Sequence, residues 1–250
     1  MALTYEQAAE KIMVALDVPA AADAETLIGR LKGVPCWMKV GMQLYYAEGP
    51  RIVAMLKEAG YRVFLDLKLH DIPNTVKGAA RSITALGTDM FNVHAAGGRR
   101  MMAAALEGAE EAVLSGAAGG RRDGRPLIIA VTHLTSTDRE TLNGEIGIPG
   151  TMEEAVLKYA ELAGAAGLDG VVASPLEVAA IKRRCGEAFL AVTPGIRPAG
   201  SEAGDQARIA APREALAAGA DYLVIGRPVT RASDPRGALE RIIEELMNIG

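Results

Sequence analysis

Short apolar runs recur along the chain, each followed by a longer Ala- and Leu-rich stretch whose charges fall at three- and four-residue spacing. The runs at 12–17, 36–40, 63–67, 90–94, 127–132, 170–173, 189–193 and 222–225 have the length and continuous apolarity of strands buried on both faces. Stretches such as 20–31, 101–114, 152–165, 175–184 and 235–247 carry the helical period. Strands alternating with helices imply right-handed crossovers and a parallel sheet. Eight such units in 250 residues, with no linker or compositional break, predict an α/β chain folded as one closed (β/α)8 TIM barrel over 1–250.

A barrel of this kind builds its active site at the C-terminal ends of the strands. The polar residues there are Asp17, Lys39, Asp66 with Lys68, His94, Thr132 to Thr135, Ser174, Thr193 and the pair Gly226-Arg227. Asp17, ahead of Val-Pro, reads either as a helix N-cap or as a ligand contact. Lys39 lies in Trp-Met-Lys-Val-Gly-Met, where a lysine either snorkels out or meets a carboxylate, and Asp66 on the next strand is within reach. The densest cluster is Asp66-Leu-Lys68-Leu-His-Asp71, directly after the apolar strand at 61–65 and before Ile72-Pro-Asn-Thr75, which reads as a turn into a helix. Strand alternation places Asp66 and Lys68 on one side. Such a pair is costly in a core unless a site uses it.

The ends of the last two strands carry a second signal. Thr193-Pro-Gly-Ile-Arg197-Pro and Ile225-Gly226-Arg227-Pro suit a phosphate, with Gly226 admitting close backbone approach and Arg227 a bidentate cation. The small, polar stretch from 198 to Gln206 reads as a surface loop or a lid over ligand, with Gln206 in reach of a phosphate oxygen.

The remaining chemistry is sparse. His70, His94 and His133 sit at strand ends without metal-ligand spacing and read as structural, hydrogen-bonded histidines. Ser174 and Cys185 lack a local base, so nucleophilic catalysis is unsupported. Two distant cysteines, Cys36 and Cys185, suit a reducing compartment and form no zinc pattern. A net charge of -4 leaves no footprint for nucleic acid or an anionic membrane. Without a membrane-length apolar run or a signal-peptide pattern, a cytoplasmic protein is expected.

Taken in order, Ala-Leu-Asp17, Lys39-Val-Gly, Phe-Leu-Asp66-Leu-Lys68-Leu-His-Asp71-Ile-Pro-Asn-Thr75, Asn-Val-His94-Ala-Ala-Gly-Gly, Ala-Val-Thr-His-Leu-Thr135-Ser, Thr-Pro-Gly-Ile-Arg197-Pro, Gly-Ser-Glu-Ala-Gly-Asp-Gln206 and Val-Ile-Gly226-Arg227-Pro-Val span residues 12 to 230. In these stretches the chain resembles the bacterial orotidine 5′-phosphate decarboxylase family. Its D-x-K-x-x-D core alone is shared with metal-dependent sugar-phosphate lyases and aldolases; the continuation to Thr75 and the Thr-Pro-Gly-Ile-Arg-Pro block are specific. The resemblance implies conversion of orotidine 5′-phosphate to UMP with no metal and no cofactor. Lys39, Asp66, Lys68 and Asp71 would form an alternating charged network, with Lys68 the proton donor to C6 and Asp71 supplied by the partner subunit of a homodimer. Asp17 and Lys39 would hold the ribose hydroxyls, and Thr75 would help the neighbouring subunit's ribose. Thr135 would lie near the pyrimidine, while Arg197, Gln206, Gly226 and Arg227 would bind the 5′-phosphate. Two rival readings use the same residues: a magnesium-dependent sugar-phosphate lyase or aldolase, and a non-catalytic nucleotide-binding barrel for which Gly226-Arg227 would suffice.

Overall fold

The computed structural model describes residues 2–118, 124–198 and 208–248. Each apolar run forms a strand: β1 (Ile12–Ala15), β2 (Trp37–Gly41), β3 (Arg62–Leu69), β4 (Met90–His94), β5 (Leu127–Val131), β6 (Gly170–Val172), β7 (Leu190–Thr193) and β8 (Tyr222–Ile225). All are parallel, each pairs with the next in sequence, and β8 closes on β1. The outer helices are α1 (Tyr5–Ala9), α2 (Ala21–Leu31), α3 (Met42–Glu48), α4 (Arg51–Glu58), α5 (Pro73–Ala85), α6 (Gly98–Leu114), α7 (Met152–Ala165), α8 (Val178–Cys185), α9 (Pro212–Ala217), α10 (Arg227–Thr230) and α11 (Pro235–Met247). No helix among the described residues is long and apolar enough to cross a membrane.

Local chemistry sets several boundaries. Thr151 and Glu154 make a reciprocal capping box on α7, and Asp234 accepts from the Gly237 N–H ahead of Pro235 on α11. Pro73 opens α5, as the Ile-Pro-Asn-Thr stretch predicts. Two strands differ from the expected spans. β1 ends at Ala15, which leaves Asp17 on the loop, and β3 runs on to Leu69 and so carries Asp66 and Lys68 within it.

The barrel interior follows the two-residue period. Met13, Trp37, Phe64, Met90, Ile129 and Val192 form one buried cluster inside the ring, separate from the larger core between strands and helices. Tyr222 meets Trp37 edge-on at 5.3 Å between ring centres. This plug occupies the lower part of the barrel, so a residue two positions further along a strand belongs to the layer above it.

The lower rim carries a repeated device. Asp89, Asp169 and Asp221 stand just before β4, β6 and β8, and each grips one residue of the preceding strand twice. The Asp89 carboxylate accepts from Val63 N at 2.7 Å while Asp89 N donates to Val63 O at 2.9 Å. Asp169 does the same with Ile128, and Asp221 with Ala191, at the same distances. Each carboxylate also pairs with a cation: Lys57 at 2.6 Å, Arg125 at 2.6 Å and Lys182 at 2.7 Å. Among the described residues no aspartate grips the β1–β2 seam, where Pro35 and Cys36 precede β2.

Candidate active site

Above the plug the inward layer turns polar. Lys39 follows Trp37 by two residues, Asp66 follows Phe64 and Asn92 follows Met90, so all three enter one layer. Asp17, Lys39, Asp66, Lys68, Thr135, Arg197, Gly226 and Arg227 line a single cavity of about 550 Å³ at the C-terminal ends of the strands. The barrel therefore brings together eight of the residues singled out in the sequence.

The charges are paired in a chain. Lys39 Nζ lies 3.0 Å from Asp17 Oδ1 and 3.4 Å from Asp66 Oδ2, and Lys68 Nζ lies 2.7 Å from Asp66 Oδ1. Gly41 lies beside this pair: a Cβ there would stand 3.4 Å from both Asp17 Oδ1 and Lys39 Nζ, an ordinary contact. Burial works against charging Lys39, yet Asp66 and Asp17 together hold its pKa above the ordinary lysine value. Burial likewise opposes ionisation of Asp66. Lys39, Lys68 and the Asn92 amide outweigh it and hold that carboxyl below its usual range. Asp17 does not cap α2, whose N-cap is Ala20, so the capping alternative is set aside.

Lys68 stands at an irregularity. The β3–β4 ladder pairs Leu65 with Phe91 and next pairs Leu69 with Val93, so four steps on β3 face two on β4. Within this bulge Lys68 has φ +53°, the one non-glycine residue of positive φ among those described. Plain alternation therefore does not account for the Asp66–Lys68 contact; a bulged strand does. Sequence reasoning gave no role to Asn92, which is buried opposite the bulge. Its Nδ2 donates to Asp66 Oδ1 at 2.7 Å, and its Oδ1 accepts from Lys68 N at 2.8 Å. An amide inside the apolar run Met-Phe-Asn-Val was the available signal.

Asp71 and Thr75 do not reach this cavity in their own chain. Both are exposed, and the Asp71 carboxylate accepts from the neighbouring Ile72 N at 2.6 Å. Ile72 itself is 67% exposed, a large apolar side chain facing outward beside them. Gln206 lies outside the described residues.

The opposite wall is tied together by a largely buried pair that the sequence did not single out. Arg208 donates to Glu177 Oε1 and, at 2.9 Å, to the Leu134 carbonyl, which fastens the strand-end loops of β5, β6 and β7 beside Thr135. Burial raises the Glu177 pKa despite Arg208. Gln43, His133, Ser136, Thr230 and Arg231 also line the cavity.

The histidines depart from expectation. His94 Nδ1 and His133 Nε2 are buried without a hydrogen-bond partner among the described residues, and His70 is exposed. His94 stacks on His70 at 5.5 Å, and burial, His70, His133 and Lys68 all push its pKa down. Burial and the neighbouring groups thus disfavour the charged His94 ring, and among the described residues these buried nitrogens lack the hydrogen bonds that the sequence suggested.

The chain is similar to known proteins over most of its length. A family model described as orotidine 5′-phosphate decarboxylase / HUMPS family matches residues 10–242. The orotidine 5′-phosphate decarboxylase of Geobacillus thermodenitrificans is 55% identical over 233 residues, covering 93% of this chain and 95% of that protein. That of Moorella thermoacetica is 55% identical over 239 residues, covering 96% and 93%. The crystal structure of the Lactobacillus acidophilus orotidine 5′-phosphate decarboxylase superposes with a TM-score of 0.81 at 38% identity, covering 96% of this chain and 99% of that one.

Proposed function

The chain belongs to the orotidine 5′-phosphate decarboxylase / HUMPS family, and we propose that it converts orotidine 5′-phosphate to UMP with Lys68 as the proton donor. The observation that carries the reading is the Lys68 ammonium, held 2.7 Å from the largely buried Asp66 carboxylate at the wall of the cavity. When the C6–carboxylate bond breaks, its electron pair stays on C6 and CO2 departs. A carbanion at an sp2 carbon has little resonance relief, so a fixed cation beside it lowers the barrier most. Lys68 then transfers one N–H proton to C6 and regains a proton from solvent.

The other residues divide the remaining tasks. Asp66 holds the ammonium in place and presents negative charge to the departing carboxylate. Lys39 keeps Asp66 ionised and, with Asp17, faces the ribose hydroxyls. Arg197, Gly226 and Arg227 stand at the ends of β7 and β8, across the ring from β3, and receive the 5′-phosphate with Gln206. Thr135 flanks the pyrimidine. Phosphate binding far from the breaking bond is best spent on ordering the charged network.

Asp71 and Thr75 enter through a partner. Their exposure beside outward-facing Ile72 supports a homodimer in which both residues complete the neighbouring subunit's cavity. The decisive assay follows loss of orotate absorbance with purified protein, with and without EDTA. Turnover that persists in chelator is expected. A folded protein that binds UMP and turns nothing over would refute the assignment, and activity lost to EDTA and restored by magnesium would favour a metal-dependent lyase.

A further inference from the structure

We infer that Asn92 is a positioning residue, whose carboxamide stands in for the strand ladder at the β3–β4 bulge and thereby fixes where the Lys68 ammonium stands. This rests on the reading of Lys68 as proton donor. Between Leu65–Phe91 and Leu69–Val93 the ordinary ladder is interrupted, and the segment that bulges carries both Asp66 and Lys68. A peptide N–H left unpaired in such a place costs free energy, and a lysine backbone at φ +53° is an uncommon conformation that needs holding.

Asn92 meets both needs with one planar group. Its single acceptor takes the Lys68 N–H at 2.8 Å, and its donor takes Asp66 Oδ1 at 2.7 Å, the same oxygen that holds Lys68 Nζ. The chemistry fixes the amide's orientation, since the carboxylate accepts only and the peptide N–H donates only. One side chain thus grips Lys68 at its backbone and, through Asp66, at its ammonium. Asn92 is 1% exposed and is absent from the cavity lining, so it acts through those two residues and not on substrate. Leucine of similar size offers neither group. Aspartate offers the acceptor but, when ionised, sets a second carboxylate against Asp66.

Aspartate also supplies the test. In Asn92→Ala, kcat is expected to fall by about 10²-fold, the scale for a reacting group displaced by ~1 Å. KM and UMP affinity should stay within about threefold, because only a contact made in the transition state is weakened. Asn92→Asp should be similarly impaired near neutral pH. On acidification to about pH 5 it should recover relative to wild type, since a protonated carboxyl both donates to Asp66 and accepts from Lys68 N. A merely structural residue would show no such inverted pH profile. The 13Cε NMR resonance of Lys68, assigned with Lys68→Arg, should move in Asn92→Ala whether or not the protein turns over substrate.

An inactive wild type would refute the proposed function, and the resonance would still report on Asn92. Three results would overturn the inference: kcat within about threefold of wild type in Asn92→Ala, kcat and UMP affinity falling together, or neither variant folding at either pH.

Discussion

Replacing Lys68 by Ala and by Gly separates backbone strain from side-chain chemistry. Both variants lose the 2.7 Å contact with Asp66, so that loss cancels in the comparison between them. What differs is the backbone at φ +53°. A side-chain-bearing residue there costs about 1–2 kcal/mol relative to its preferred conformation. Glycine avoids this cost but gives up roughly 0.5–1 kcal/mol through the greater freedom of its unfolded chain. The remainder makes Lys68→Gly the more stable by roughly 0.5–1 kcal/mol, which for a chain of this length is about 1–4 °C in Tm. Urea and thermal melts followed by circular dichroism, at one protein concentration because assembly shifts Tm, measure it. Ala54→Gly, at an exposed position inside α4, is the control and should be destabilising by about 1 kcal/mol. If Lys68→Gly proves no more stable than Lys68→Ala, the lysine backbone is not strained and the bulge is accommodated without cost.

Other perturbations reach the rest of the site. Arg227→Ala should raise KM by the ~2–5 kcal/mol scale of a lost desolvated charge contact, and an unchanged kcat/KM removes it from the phosphate site. Asp17→Ala should raise KM with little change in melting temperature, because Asp17 caps no helix; a lower Tm with normal KM would reverse that assignment. Asp66 has a depressed pKa, so its ionisation stabilises the fold above the ordinary carboxylate value near 3.9 and ceases to do so as pH falls through the depressed one. The gap in urea midpoint between wild type and Asp66→Asn should therefore hold from pH 7 to about 4.5 and narrow near pH 3; a gap that stays constant to pH 3 would contradict the pairing. Mixing Lys68→Ala with Asp71→Ala under subunit exchange should restore about a quarter of all sites, whereas no recovery would place Asp71 in its own chain's cavity.

The fold was legible because each strand is an apolar run and each return a helical one, and β1 to β8 fall within a few residues of those runs. The charged part of the site was legible for the opposite reason. Lys39 and Asp66 interrupt such runs, and an interruption that costs desolvation advertises a use. What stayed hidden depends on contacts that no local pattern encodes. Lysine has no preference for positive φ, so Lys68's conformation leaves no mark in the sequence. Asn92 gains its meaning only from the register shift against β3. Glu177 and Arg208 lie 31 residues apart and belong to different loops. The extra residues of β3 show the same limit, since a bulge lengthens a strand beyond its apolar core.

The aspartate grips on the lower rim make the barrel's circumference uneven. The seams β3–β4, β5–β6 and β7–β8 are each closed by paired main-chain and carboxylate bonds to one residue, while among the described residues no aspartate grips β1–β2 in this way. Local opening is cheapest where the fewest bonds must part, so the amide hydrogens of β1 and β2 are expected to exchange with solvent ahead of those in the gripped strands. The same two strands carry Asp17 and Lys39 at their upper ends. A ligand held there would fasten from above a strand pair that has no aspartate grip below among the described residues. Ligand binding at that end would then slow amide exchange in β1 and β2, which would link occupancy of the site to breathing of the barrel.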